Sequence, residues 1–169
     1  MIRILAPSAA AFKRASSAEC RAPKLPVYGR GENVRDWLYV EDHADALVAV
    51  LERGIPGRTY FIGGGEEKRN LDVVTAIAEL VDQMADALPS GRPRVDLITF
   101  VRDRPGHDFR YAMDISGIER DLGWRPSRSF AAGLRETVAW FIANESWWRP
   151  LHERYAGERL GSLKVPAPA

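Results

Sequence analysis

The feature that most constrains the fold is a helical pattern followed closely by a short apolar run. From Asp42 onward, apolar residues recur at helical spacing until Gly54 and Pro56 end the pattern. Residues 59–62 (Thr-Tyr-Phe-Ile) then precede a run of glycines at 63–65, which predicts a buried strand ending in a tight loop. A helix followed by a strand predicts α/β architecture.

Further elements are predicted by the same patterns. Residues 27–31 and 34–40 have extended character and are separated by a glycine turn, which predicts a hairpin or a strand pair. Asn70 is expected to cap a helix that runs to about residue 88, and residues 97–101 form a further strand candidate. A short helix is expected from Asp114 to Gly123.

Ser129 is expected to cap the last long helix, which places apolar residues on one face. These residues are Phe130, Leu134, Val138 and Phe141. Trp147 and Trp148 are expected in a core or an interface, and the periodicity is lost after Pro150.

Composition excludes several classes of function. Twenty-four basic and 23 acidic residues give a net charge of +1, which favours neither nucleic acid nor an anionic membrane as partner. No apolar run approaches the roughly 18 residues of a membrane-spanning helix. The single cysteine, Cys20, fits a reducing compartment, so a cytoplasmic location is expected.

Known catalytic and ligand-binding motifs are largely missing from the sequence. The three histidines are far apart and the lone cysteine has no partner, so no metal site is predicted. Gly63–Gly65 lacks the spacing of a dinucleotide loop and is interpreted as a turn, and no tyrosine is followed four residues later by lysine.

Four cationic groups could converge on a diphosphate, namely Arg35, Arg104, His107 and Arg110. From the residues alone, an exposed strand charge at Arg35 and a backbone-capping histidine at His107 remain the favoured alternatives.

Several longer segments together resemble one enzyme family. These segments are residues 25–43 (LPVYGRGENVRDWLYVEDH), 70–74 (NLDVV), 103–108 (DRPGHD), 122–124 (LGW), 144–148 (NESWW) and 155–159 (YAGER). They resemble dTDP-glucose 4,6-dehydratases, which are NAD-dependent extended short-chain dehydrogenase/reductases (SDRs). The resemblance covers residues 24–161, with 1–23 expected to be a flexible leader without family match and 162–169 a flexible tail.

The resemblance implies an incomplete extended-SDR fold, consisting of the C-terminal substrate-binding lobe with the last strand and helix of the Rossmann sheet. It implies a dTDP-sugar as ligand, and Asn70 could be both helix cap and substrate contact. The implied substrate-binding residues are Lys24, Pro26, Tyr28, Arg35, Asn70, Asp103, Arg104, Pro105, Gly106, His107 and Tyr155.

The family's NAD loop and its Tyr-x-x-x-Lys pair have no counterpart in the sequence. No catalytic or cofactor-binding residue is therefore predicted, and the chain is expected to be a truncated dehydratase that is inactive alone. In this family the homodimer forms through helices of the half that binds NAD. That half has no counterpart in this sequence, so a homodimer is not expected here. Two alternatives are a non-catalytic, nucleotide-sugar-binding half of a split enzyme, and part of another nucleotide-sugar epimerase or decarboxylase. Residues 103–107 and 144–148 disfavour the second alternative.

Overall fold

The computed structural model describes residues 3–4, 24–103 and 105–154, with side chains described for 24–103 and 105–150. Its strands are β1 (Arg3–Ile4), β2 (Leu25–Tyr28), β3 (Val34–Leu38), β4 (Glu67–Arg69) and β5 (Ile98–Val101). Its helices are α1 (Val40–Arg53), α2 (Asn70–Met84), α3 (Ser116–Leu122), α4 (Phe130–Ala143) and α5 (Glu145–Arg154), with a 3-10 turn at Arg94–Leu97. The predicted α/β class is confirmed.

The strands form two small sheets. Strand β3 lies between β1, which is parallel to it, and β4, which is antiparallel, while β2 pairs in parallel with β5. The predicted pairing of β2 with β3 is therefore wrong. The connection between them is tied to α2 instead, because the carbonyl groups of Gly31 and Asn33 accept hydrogen bonds from the amides of Leu71 and Asn70.

Two apolar clusters lie on opposite faces of β3. Trp37 packs in one cluster and its neighbour Leu38 in the other, as the alternation of side chains along a strand requires. The Trp37 cluster contains buried residues of α2, α4 and α5, namely Val73, Ile77, Val81, Leu134, Val138 and Trp148. The Leu38 cluster contains Ala46, Ala49, Ile62, Ile118 and Trp124. One strand thus joins both halves of the core.

Most of the helix predictions are confirmed. The Ser129 side chain accepts a hydrogen bond from the Ala132 amide at the start of α4, and Gly123 ends α3 in the left-handed conformation with φ 65°. The predicted cap at Asn70 is wrong, because Asn70 is the first residue of α2 and its amide is satisfied by a backbone carbonyl. Helix α2 also ends at Met84, earlier than predicted.

Two segments differ from the sequence prediction. Residues 59–62 form no strand, since no described strand lies beside them to complete a ladder, and only Ile62 in this run is buried. Pro150 lies inside α5 and does not end it; packing of the buried Trp148 against the Trp37 cluster helps to hold this helix in place.

The chain ends are only partly described. Arg3–Ile4, inside the predicted leader, forms strand β1, so this part of the leader has a place in the fold. The rest of 1–23 and the predicted tail 162–169 lie outside the described residues. The boundaries predicted at 24 and 161 stay predictions. Among the described residues, no helix combines the length and hydropathy needed to cross a membrane.

We expect the isolated chain to self-associate. Leu47, Val48 and Leu51 form an exposed apolar stripe on α1, and Leu51 is 86% exposed. Residues 59–62 also leave backbone groups outside any described ladder. Leu51→Lys should shift the chain toward monomer in light scattering, because a charge on the stripe opposes its burial. Ala131→Lys, an exposed change on α4, is the matched control.

Two results would contradict this expectation. One is a wild-type chain that stays monomeric and unfolds in one cooperative transition above about 55 °C, within the usual mesophile range. The other is an equal shift toward monomer in Leu51→Lys and Ala131→Lys, which would trace association to net charge and not to the stripe.

Candidate functional site

The carboxyl ends of β2 and β5 lie side by side. Tyr28 is in register with Val101, and the Gly29 amide donates to the Val101 carbonyl at 2.9 Å. Gly29 has φ 55°, and a side chain there would approach the Asp103 carboxylate. In open α/β sheets, ligands bind outside the carboxyl ends of parallel strands. The loop after β5 therefore begins where a ligand is expected.

His107 is held inside this loop. Its side chain is 4% exposed, and its Nδ1 lies 2.7 Å from Oδ1 of Asp103. The Tyr28 ring meets the imidazole edge-on at 6.3 Å between centroids. Because a carboxylate can only accept, Nδ1 carries a hydrogen, so Nε2 is an acceptor in the neutral ring and a donor in the cation. Nε2 is buried and has no hydrogen-bond partner among the described residues.

Arg35 lies beneath the same loop and is 1% exposed. Its Nη2 donates to the Asp108 carbonyl at 2.7 Å, and its Nη1 donates to the carbonyls of Val34 at 2.6 Å and Phe109 at 3.2 Å. Its guanidinium carbon stands 4.7 Å from the centroid of the Tyr111 ring, a cation–π distance. The alternative of an exposed strand charge is thus wrong, and Arg35 anchors the backbone of the loop.

Arg110 does not join a cluster of cations. Its guanidinium pairs with both carboxylate oxygens of Glu67, at 2.6 and 2.7 Å. This bidentate contact holds the pKa of Glu67 below its usual range. Glu67 of β4 therefore balances the positive charge of Arg110. Arg110 does not join the other predicted cationic residues in a common diphosphate site.

The glycine run at 63–65 is a structural turn. The Asp36 carboxylate accepts from the amides of Gly64 at 3.1 Å and Glu66 at 3.2 Å, and burial raises its pKa against the effect of these bonds. A Cβ at Gly63 would lie 2.2 Å from Asp36 Oδ2, and one at Gly64 would lie 1.8 Å from the Trp37 carbonyl oxygen. The predicted turn is thus present, and close approach to β3, which the sequence did not predict, explains these two glycines.

The remaining predicted site residues lie in several places. Asn70 opens α2 and is tied to Asn33. Pro105 and Gly106 are exposed in the loop, Lys24 is exposed just before β2, and Pro26 is exposed on the same face of β2 as Tyr28. Arg104 and Tyr155 lie outside the described residues. Sequence reasoning did not identify Asn33, Asp108 and Tyr111 as residues of the site. Asn33 donates from its side chain to the Asp108 carbonyl, and the Tyr111 ring contacts Arg35. No motif predicts these contacts.

A surface depression of about 300 Å³ lies elsewhere and contains none of the predicted site residues. Its polar wall is already paired: Glu119 contacts Arg125, and Glu66 accepts from the Phe130 amide at 2.8 Å. The loop after β5, with a buried imidazole nitrogen lacking a described partner, is therefore the better candidate site.

Comparison with known proteins agrees with this arrangement. The model of the GDP-mannose 4,6 dehydratase family matches residues 10–137, including part of the segment that the motifs did not cover. The chain belongs to the GDP-mannose 4,6 dehydratase family. Within 142 residues it is 52% identical to dTDP-glucose 4,6-dehydratase of Escherichia coli and 54% identical to that of Neisseria meningitidis serogroup B. Each alignment covers 83% of this chain and 39% or 40% of the relative, so the chain spans about two fifths of their length.

Similar solved structures extend the comparison. The dTDP-glucose 4,6-dehydratase of Bacillus anthracis, in complex with NAD, is 43% identical with a TM-score of 0.65, over 76% of this chain and 37% of that one. The Bordetella bronchiseptica enzyme WbmF, in complex with NAD+ and UDP, is 25% identical with a TM-score of 0.63, over 86% of this chain and 38% of that one. The predicted resemblance, the incomplete extended-SDR fold and the use of NAD in the family are confirmed.

Proposed function

We propose that this chain is the nucleotide-sugar-binding part of a dTDP-glucose 4,6-dehydratase. The complete reaction converts dTDP-glucose to dTDP-4-dehydro-6-deoxyglucose and water. The observation that carries the proposal is the loop of Asp103 and His107, held at the carboxyl ends of β2 and β5 beside Tyr28. The relatives at about 50% identity, which are dTDP-glucose 4,6-dehydratases, support dTDP as the nucleotide.

The proposed contacts follow from the chemistry of the side chains. The buried Nε2 of His107 can bond a ligand oxygen, either as acceptor from a hydroxyl or, when protonated, as donor. The N–H groups of Arg35 other than those that donate to the carbonyls of Val34, Asp108 and Phe109 suit a diphosphate oxygen. The exposed Tyr28 ring offers a surface beside the nucleotide. The other proposed contacts are Lys24, Pro26, Asn70, Asp103, Arg104, Pro105, Gly106 and Tyr155.

The glycine run at 63–65 does not fit the pyrophosphate of NAD. This run follows an apolar segment, and its Gly64 amide donates to Asp36, whose carboxylate would repel a pyrophosphate. The full sequence also contains no Tyr-x-x-x-Lys pair. We therefore assign nucleotide-sugar binding to this chain and the NAD chemistry to sequence outside it. A cytoplasmic location and the lack of a homodimer stay predictions.

Arg35→Ala is expected to weaken dTDP binding more than Arg128→Ala. Arg35 supports the loop of the proposed site, whereas Arg128 is exposed and pairs with Glu136 at 3.2 Å. Loss of charge-assisted hydrogen bonds, worth about 1.5–3 kcal/mol, should raise the dissociation constant roughly 10-fold or more. Isothermal titration calorimetry with dTDP gives both constants.

Arg35→Lys separates charge from geometry, because an ammonium group lacks the planar fork of a guanidinium. It should bind dTDP less tightly than wild type, with circular dichroism checking that the variant is folded. Equal affinity losses in Arg35→Ala and Arg128→Ala would contradict the assignment of the site. Failure of the folded wild-type chain to bind dTDP would contradict the proposed function itself.

A further inference from the structure

Asn33 connects two parts of the candidate site. Its backbone carbonyl accepts from the Asn70 amide at 2.9 Å, at the first residue of α2. Its side-chain Nδ2 donates to the Asp108 carbonyl at 3.2 Å, directly after His107. Asn33 is only 6% exposed. One buried residue therefore links the start of α2 to the loop that carries His107.

The hydrogen bonds around Asn33 restrict the orientation of the Asp108 carbonyl, its partner in the loop. The Asp108 carbonyl accepts from Asn33 Nδ2 and also from Arg35 Nη2 at 2.7 Å, which fills both lone pairs of that oxygen. Three residues further along the chain, the Tyr111 amide donates to the Val34 carbonyl of β3 at 3.1 Å. With the peptide group after Asp108 fixed in orientation, the backbone next to His107 is restricted as well.

The start of α2 is tied to the same connection. The Leu71 amide donates to the Gly31 carbonyl at 2.9 Å, next to the bond between Asn70 and Asn33. Gly31 has φ 73°, and a Cβ there would lie 2.8 Å from side-chain carbon atoms of Val27 and Leu71. The β2–β3 connection is thus a close-packed support for α2, and Asn33 extends this support to the loop.

We propose that Asn33 is a positioning residue of the nucleotide-sugar site, an inference that rests on the function proposed above. Its backbone carbonyl and its side-chain Nδ2 both bind other residues of the site. It acts through Asn70 and His107, which it holds in one mutual arrangement. A ligand that must contact both residues then binds a preformed site and loses less free energy in ordering it.

Asn33→Leu tests this role, because leucine is similar in size and cannot donate. Thr137→Val is the matched control: Thr137 is buried, and its Oγ1 donates to the Gly133 carbonyl at 2.7 Å, in α4. Each change removes one buried side-chain donor to a backbone carbonyl. Urea unfolding establishes how far each variant is destabilised. Asn33→Ala, which demands less space, is the second variant if leucine prevents folding.

Amide hydrogen exchange, measured without ligand, provides the first readout. Asn33→Leu should speed exchange of the Tyr111 amide about 10-fold beyond Thr137→Val, as expected for about 1.4 kcal/mol of local stability lost. The Gly123 amide, which donates to the Glu119 carbonyl at 2.9 Å at the end of α3, is the internal reference and should change equally in both variants. Equal exchange of the Tyr111 amide in the two variants would overturn the proposal.

Calorimetric titration with dTDP provides the second readout. Asn33→Leu should raise the dissociation constant about 10-fold, while Thr137→Val should change it less than about twofold. Faster loop exchange with unchanged affinity would reduce Asn33 to a structural residue and overturn the positioning role. If the wild-type chain does not bind dTDP, the proposed function fails, and the exchange experiment alone decides whether Asn33 holds the loop.

Discussion

Incubated with dTDP-glucose and NAD, the 169-residue chain is expected to form no dTDP-4-dehydro-6-deoxyglucose. The sequence contains neither a dinucleotide-binding glycine loop nor a Tyr-x-x-x-Lys pair, and Gly63 and Gly64 are packed against Asp36 and Trp37. Without groups that hold NAD against the sugar, the rate enhancement of roughly 10⁶-fold or more typical of enzymes has no source. Chromatography of the reaction mixture measures the product.

The dTDP-glucose 4,6-dehydratase of Escherichia coli, 52% identical in the aligned part, is the positive control in the same assay. Sustained product formation by the 169-residue chain alone would contradict the expectation. A second mixture should contain the chain together with the part of the E. coli enzyme that the alignment leaves uncovered. Activity only in this mixture would support the alternative of a split enzyme, in which this chain is the non-catalytic half.

Trp148→Ala is expected to remove much of the stability of the folded chain. Trp148 is 1% exposed, packs in the Trp37 cluster and donates its Nε1 hydrogen to the Phe141 carbonyl at 2.8 Å. Truncating a buried tryptophan costs about 3–5 kcal/mol, because apolar contacts are lost and a cavity remains. That loss is a large fraction of the roughly 5–15 kcal/mol by which proteins are usually stable. Urea unfolding followed by circular dichroism measures it.

The adjacent Trp147 is the matched control. It is 62% exposed, and its ring meets Trp140 edge-on at 5.3 Å between centroids. Trp147→Ala should cost about 0.5–1.5 kcal/mol, the worth of such a ring pair, so its urea midpoint should stay near that of wild type. Equal destabilisation by the two substitutions would show that Trp148 is not the core residue described above.

The helices were the part of the fold that could be predicted from local sequence patterns. The helices at 40–53 and 130–143 were expected because apolar spacing and capping residues act within one element. Strand pairing was not predictable in this way, because it joins residues far apart in the chain. The β2–β5 pair links residue 25 to residue 98, and residues 59–62 have strand composition without a described strand beside them.

By itself the sequence determined the α/β class, the main helices and, through its motifs, the resemblance to nucleotide-sugar dehydratases. It could not determine that Arg35 is buried beneath the loop, that Arg110 is paired with Glu67, or that Asn33 joins Asn70 to the loop. These outcomes depend on contacts between β3, β4, α2 and the loop after β5. Such contacts form only when the chain is packed, since the burial and pairing of a polar group depend on residues distant in sequence.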